Sequence, residues 1–165
     1  RAVWGIGDPH HVQARVLSLT QSTELGTVYT LDELRELTTF IELHLELVAR
    51  ELYAQAFFGG TVSESKQEWV RKTLNKNIPA FKRLARFAPY VGGEQFSQAD
   101  CAAWVSLPLV GMATKAVLGE DLLATHGVDW KSYAKLIGDR PSAQQVAADR
   151  KADNDRQLAA VKARG

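Results

Sequence analysis

The chain has 165 residues, 20 Lys+Arg against 19 Asp+Glu, and a formal net charge of +1, room for one ordinary domain with a real core and little more. Hydrophobic residues at 45% and charged residues at 24% exclude a disordered chain, and the even charge balance excludes a general nucleic-acid binder. A single cysteine, Cys101, excludes an internal disulfide framework and fits a reducing compartment, and no run is read as apolar enough over about 20 residues to span a bilayer.

The chain starts at Arg1 rather than Met, so a piece of a longer protein is expected. Helical periodicity dominates, with no sustained alternation and no Asn-Gly or Asp-Gly hairpin turn. In residues 1–29, Asp8-Pro9 reads as a helix start, and Val12, Val16 and Leu19 follow at helical spacing. Thr30-Leu31-Asp32-Glu33 is a capping box. Leu34, Leu37, Ile41, Leu45, Val48 and Leu52 then form one stripe of a helix running to about Phe57, stopped by Gly59-Gly60. Some 25 residues of helix would be roughly 38 Å long. Phe40, Leu43 and Leu47 make a second apolar face on it.

Ser63 caps the next helix, whose buried stripe is Val70, Leu74, Ile78, Phe81, Leu84 and Ala88, with a kink expected at Pro79 and an end at Pro89. Asn77 falls within that stripe and is expected to bond a neighbouring backbone group. Ser97-Gln98-Ala99-Asp100 is a second capping box, with Phe96 and Cys101 in staple positions. The helix it opens, to about Leu118, is nearly uncharged and is expected to be buried on every side. Asp129 caps a short helix ended by Gly138; Asp139-Arg140-Pro141-Ser142 restarts a helix through Val146, and a solvated tail follows.

The run Pro89-Tyr90-Val91-Gly92-Gly93-Glu94-Gln95-Phe96-Ser97-Gln98-Ala99-Asp100, the apolar helix after it, and Asp139-Arg140-Pro141-Ser142-Ala143-Gln144-Gln145-Val146 resemble, in that order, the C-terminal domain of glutathione S-transferases, bacterial members above all. The resemblance covers about Thr30 to Lys151 and implies an all-α helical bundle. Residues 1–29 are then a divergent connector, 30–151 the helical domain and 152–165 a polar tail. It also implies glutathione as cosubstrate, with no covalently bound cofactor, and an apolar pocket for an electrophile. In this family a thioredoxin-like domain precedes the helices and holds most of the glutathione site. Residues 1–29 show no strand-Pro-strand pattern that would supply it. The chain is therefore expected to carry the electrophile side of the site and a dimer surface, and to be inactive alone. The alternative is a non-catalytic helical interaction module.

Glu42-Leu43-His44 is similar to the Glu-Leu-His of beta-class transferases, where the His faces the glutathione sulfur. That implies a catalytic role for His44; its helical angle equally suits a half-buried structural His. Glu42 lies roughly 200° away around the helix and is set aside. The family pocket implies Tyr53, Phe57, Trp104 and Leu107 as electrophile contacts, residue types that serve equally as core. Ser97 and Asp100 are read as structural caps. Arg71, Lys72, Lys76, Lys82, Arg83 and Arg86 share a face that reads as solvated, since no aromatics are interleaved with it. Cys101 is expected to be buried and unreactive. His10, His11 and His126 show no metal-ligand spacing, so no metal is expected. A homodimer is expected through Phe40, Leu43, Leu47, Trp69 and Phe87, with no nucleic-acid or membrane partner.

Overall fold

The computed structural model describes residues 30–162. The connector and the Val12, Val16 and Leu19 spacing lie outside the described residues. Helices follow one another throughout: α1 (Leu31–Thr39), a π-helical segment (Phe40–Glu46), α2 (Leu47–Arg50), α3 (Tyr53–Phe57), α4 (Glu64–Leu84), α5 (Gln98–Leu118), α6 (Leu122–Thr125), α7 (Trp130–Gly138) and α8 (Pro141–Lys162). Among the described residues there is no strand, only one isolated bridge between Tyr90 and Gly93. The chain forms an all-α bundle.

The first capping box is formed as its spacing requires. The Glu33 N–H donates to the Thr30 hydroxyl at 3.3 Å, and the Thr30 N–H donates to the Glu33 carboxylate at 2.9 Å. These Thr30 contacts hold the Glu33 carboxyl below the usual carboxylate range. From this start the chain coils to Phe57 with one short interruption at residues 51–52. The expected stripe is the buried one: Leu37, Ile41, Leu45, Val48 and Leu52 are inside, and Leu34 packs at the edge. The helix departs from a uniform α-helix at Phe40–Glu46, where the Leu47 N–H reaches back five residues to the Glu42 carbonyl. Such a segment rotates the residues after it relative to those before it.

α4 starts at Ser63, whose side chain accepts the Lys66 N–H. It runs unbroken through Pro79 and buries Val70, Leu74, Ile78 and Phe81. It ends at Leu84 rather than at Pro89; Ala88 is an exposed loop residue. Asn77 Nδ2 donates to the His44 carbonyl at 2.8 Å, the backbone bond expected of it, and so ties α4 to the π-helical segment.

α5 is the axis of the bundle. The π-helical segment and α1, α2, α3, α4, α6 and α7 all pack against it. By length and composition alone it is long and apolar enough to cross a membrane, which corrects the sequence reading that no such run exists. It is also not buried all round. Ala99, Ala103, Leu107, Val110 and Ala113 are inside, whereas Cys101, Val105 and Met112 are exposed. A single layer of helices covers one side of α5 and leaves the other open.

Asp121 caps α6, a turn that periodicity did not show, and Asp129 caps α7 by accepting the Ser132 N–H at 3.1 Å. α8 packs on α7 and continues without a break to Lys162, well past Val146. The helix runs across residues 151–152, and Ala143 is the last buried residue among those of its side chains that the structure describes.

Candidate functional site

The open side of α5 borders the π-helical segment and α2. Between them runs a groove of about 370 Å³, lined by Glu42, Leu43, Glu46, Leu47, Arg50, Val105, Ser106 and Leu109. Its rails are apolar and open to solvent: Leu43 is 51% exposed, Leu47 46% and Val105 55%. Leaving such side chains in water forgoes burial energy on the order of 1–2 kcal/mol each.

Glu46 ends the π-helical segment and is turned inward, 8% exposed. Arg50 holds it with two parallel hydrogen bonds, from Nε at 3.1 Å and Nη2 at 2.6 Å, and the Tyr53 hydroxyl donates to the same carboxylate at 3.1 Å. Burial and the Glu46 charge push the Tyr53 phenol well above its ordinary range. Both Glu46 oxygens accept hydrogen bonds from Arg50 or Tyr53. The groove offers apolar rails, this paired polar strip and the exposed Glu42.

The structure distributes the expected site residues widely. His44 lies outside the groove, exposed, its ring tilted against Phe40 at 4.8 Å. Its backbone carbonyl, not its imidazole, is engaged by Asn77. Tyr53 and Phe57 meet edge to face at 5.1 Å at the end of the long helix. Trp104 stands beside Gly138 of α7. Leu107 is fully buried in the core.

Of the five residues expected to form a dimer surface, Phe40 and Phe87 have partners within the chain. Phe40 stacks on Phe81 at 6.4 Å, and Phe87 stands edge-on between Phe81 at 6.0 Å and Tyr133 at 5.2 Å. Phe81 of α4 thus covers part of Phe40, which is half-buried. Leu43, Leu47 and Trp69 remain exposed, with Lys66 over the Trp69 ring at 5.7 Å.

The basic face is not uniform either. Arg71 is half-buried, pairs with Glu120 and donates to the Leu118 carbonyl at 3.0 Å. Lys82 donates to the His126 carbonyl at 2.6 Å.

Ser97 and Asp100 are structural, and Asp100 does far more than cap. It is fully buried. One carboxylate oxygen accepts the Ser97 N–H at 2.7 Å and the Ser97 hydroxyl at 3.0 Å. The other accepts the Val91 N–H at 2.8 Å and the Tyr133 hydroxyl at 2.7 Å. Arg140 closes the same corner: its guanidinium lies 3.9 Å over the Phe96 ring and donates to the Tyr90 hydroxyl at 3.1 Å. Arg140 therefore stacks on Phe96, the side chain that the staple pattern paired with Cys101. Cys101 is exposed, against expectation. Its thiol is still pushed up, first by the packing around the sulfur and then by the Asp100 charge, with Arg140 opposing.

No family model matches the chain. A glutathione S-transferase of Pseudomonas putida is 39% identical to it over 120 residues, 73% of this chain. The chain is a relative of the glutathione S-transferases. It spans about half the length of that relative, 54% of which is covered. The helical bundle described above fits the C-terminal, all-α part of that family, as the Gly-turn, capping box and Arg-Pro sequence implied.

Proposed function

We propose that this chain supplies the helical half of a glutathione S-transferase-type protein, with the groove beside α5 as the apolar wall of an electrophile site. One observation carries the reading. The bundle closes its core completely, yet leaves Leu43, Leu47, Val105 and Met112 at 44–55% exposure on one side. Unspent apolar surface of this kind beside a groove supports a site that holds an apolar electrophile by burial.

In the mechanism proposed, glutathione is the cosubstrate and residues outside this chain bind it and stabilise its thiolate. The groove excludes water from the electrophile and holds it by burial. The Glu46–Arg50–Tyr53 network keeps the strip between α2 and α5 rigid. His44, outside the groove, would act only on a thiol brought to the Phe40 side of the helix. The protein would work in the cytoplasm as a homodimer, with Leu43, Leu47 and Trp69 the exposed part of the expected contact, the partner subunit then closing the Leu43–Leu47 rail of the groove.

The experiment compares the 165-residue chain with the product of the full coding sequence that contains it, using glutathione and an aryl halide. The chain alone should give no conjugation above the uncatalysed rate, and the full product should turn over. Leu47→Glu and Val105→Glu in the full product should raise KM for the halide. Turnover by the chain alone would overturn the division of labour. A full product that binds glutathione without any conjugation would favour the interaction module.

A further inference from the structure

The groove beside α5 holds one charge that its own residues leave unmatched. Only Glu42, Glu46 and Arg50 among the residues lining it are charged. Glu46 has both oxygens taken by Arg50 and Tyr53. Glu42 is exposed and makes no side-chain hydrogen bond or ion pair among the described residues. It lies four residues before Glu46 on the same helix, a spacing at which like charges repel. Arg50 is bonded to the second of the two and not to the first.

A second observation points to the same place. Ser106 lines the groove from α5 and is 6% exposed. Its hydroxyl has no hydrogen-bond partner among the described residues, yet it is not sealed inside the protein. Two turns further along α5, the buried Thr114 hydroxyl donates to the Val110 carbonyl of its own helix at 2.9 Å. A hydroxyl inside a helix commonly bonds back in this way, and Ser106 does not. A nearly buried hydroxyl is unfavourable until something bonds it, and the groove is where a guest could.

Apolar rails, an unmatched negative charge and an unbonded hydroxyl oxygen together describe one class of guest. Its apolar body lies against Leu43, Leu47 and Val105. Its head is an ammonium, whose N–H donates to Ser106 Oγ and whose charge relieves the repulsion between Glu42 and Glu46. A carboxylate head would meet that repulsion instead. We propose that the groove selects apolar molecules carrying an ammonium group, with Glu42 and Ser106 as the residues that select them. The inference rests on the reading of this groove as an electrophile site, and it names the class of electrophile: one bearing an amine that is ionised at neutral pH.

The test is a backbone-amide NMR titration of the 165-residue chain with 4-phenylbutylammonium, its N-trimethylated counterpart and 4-phenylbutyrate, none of which reacts with a thiol. The ammonium should give saturable shifts at Leu43, Leu47, Val105 and Ser106 and bind about tenfold more tightly than the carboxylate. Added salt should shrink that ratio. Glu42→Gln should bring the ratio to within about threefold, and Glu42→Lys should invert it. Ser106→Ala should weaken the ammonium about threefold or more and leave the trimethylammonium, which has no N–H to donate, unchanged. Glu68→Gln, exposed on α4 outside the groove, should alter none of these. A carboxylate that binds as tightly as the ammonium, a ratio indifferent to Glu42→Lys, or no saturable shift in the groove would each overturn the proposal. Conjugation of an uncharged aryl halide by the full coding product is read separately. If Leu47→Glu raises KM there while the chain shows no charge preference, the electrophile site stands and this inference falls. If the chain prefers the ammonium while the full product conjugates nothing, the charge selection stands and the electrophile reading falls.

Discussion

Tyr133 on α7 donates its hydroxyl to the buried Asp100 carboxylate at the head of α5, 33 residues earlier in sequence and 2.7 Å away. The same carboxylate receives two backbone N–H groups and the Ser97 hydroxyl. One side chain therefore fastens a helix start, the turn at Val91 and a neighbouring helix.

The first prediction follows from that count of donors. Ser97→Ala removes one hydroxyl contact and should cost about 1 kcal/mol. Asp100→Ala strands the Val91 and Ser97 amides and the Tyr133 hydroxyl in a buried site, and should cost on the order of 3–5 kcal/mol. Urea unfolding of both variants measures the difference. An Asp100→Ala protein no less stable than Ser97→Ala would refute the central role of the carboxylate.

The second concerns pH. Burial, with the Asp100 charge behind it, raises the Tyr133 phenol well above its ordinary value. A raised folded-state value means the stabilisation is fully present below the unfolded value of about 10 and is lost as pH rises beyond it. Tyr133→Phe should lose about 1 kcal/mol at pH 8 and show a shallower decline between pH 9 and 11 than the parent. Tyr53 shifts the same way for the same kind of reason, so some alkaline loss should persist until Tyr53→Phe is added. Parallel declines in parent and double variant would refute the assignment.

The third compares two helical glycines. A Cβ at Gly111 would lie 2.5 Å from Trp130 Nε1, the nitrogen that donates to Asp121 at 2.8 Å. Gly111→Ala must push the indole out and should destabilise by about 1–3 kcal/mol despite its better helix propensity. At Gly138 the nearest atom is Trp104 Nε1 at 3.7 Å, ordinary contact. Gly138→Ala should be neutral or stabilise by up to about 1 kcal/mol. Thermal melts that rank the two the other way round would contradict the packing of α7 on α5.

The fourth uses Cys101. Its surface is open, but its thiol is pushed up, so thiolate supply rather than access limits reaction. Labelling of the native chain should be slower than that of the denatured chain at pH 7, and the gap should narrow as pH rises into the alkaline range. Protection that does not change with pH would show that something covers the sulfur.

The fifth addresses association. Leu43→Glu with Leu47→Glu changes two exposed residues and should leave the fold intact while moving sedimentation from dimer to monomer. A dimer that survives both charges would place the contact elsewhere.

Local chemistry was readable in the sequence. The Thr30–Glu33 box, the Asp129 cap, the core stripe from Leu37 to Leu52 and the Asn77 backbone bond are all found where spacing put them. These features depend on residues a turn apart, or on one polar group in an apolar stripe. The misses are of another kind. Whether Cys101 and Val105 meet a neighbouring helix depends on which side of α5 the rest of the chain occupies, and an apolar helix carries no phase information about that. The Arg140–Phe96 stack and the Tyr133–Asp100 bond join residues more than thirty positions apart, and no local pattern encodes them. The π-helical segment was missed because the Leu37–Leu52 stripe fits an α-helix well enough to hide one displaced hydrogen-bond step.

That segment has a consequence for how this helix tolerates changes in length. Between Phe40 and Glu46 the chain holds slack that an α-helix lacks. Losing one residue there could be absorbed by reverting to ordinary helical winding, whereas the same loss in α4 would rotate every later side chain by about 100°. Glu46 and Arg50 owe their present bearing on the groove to that slack. The stretch therefore works as a vernier, resetting which residues look outward while Leu37 and Leu52 stay in the core.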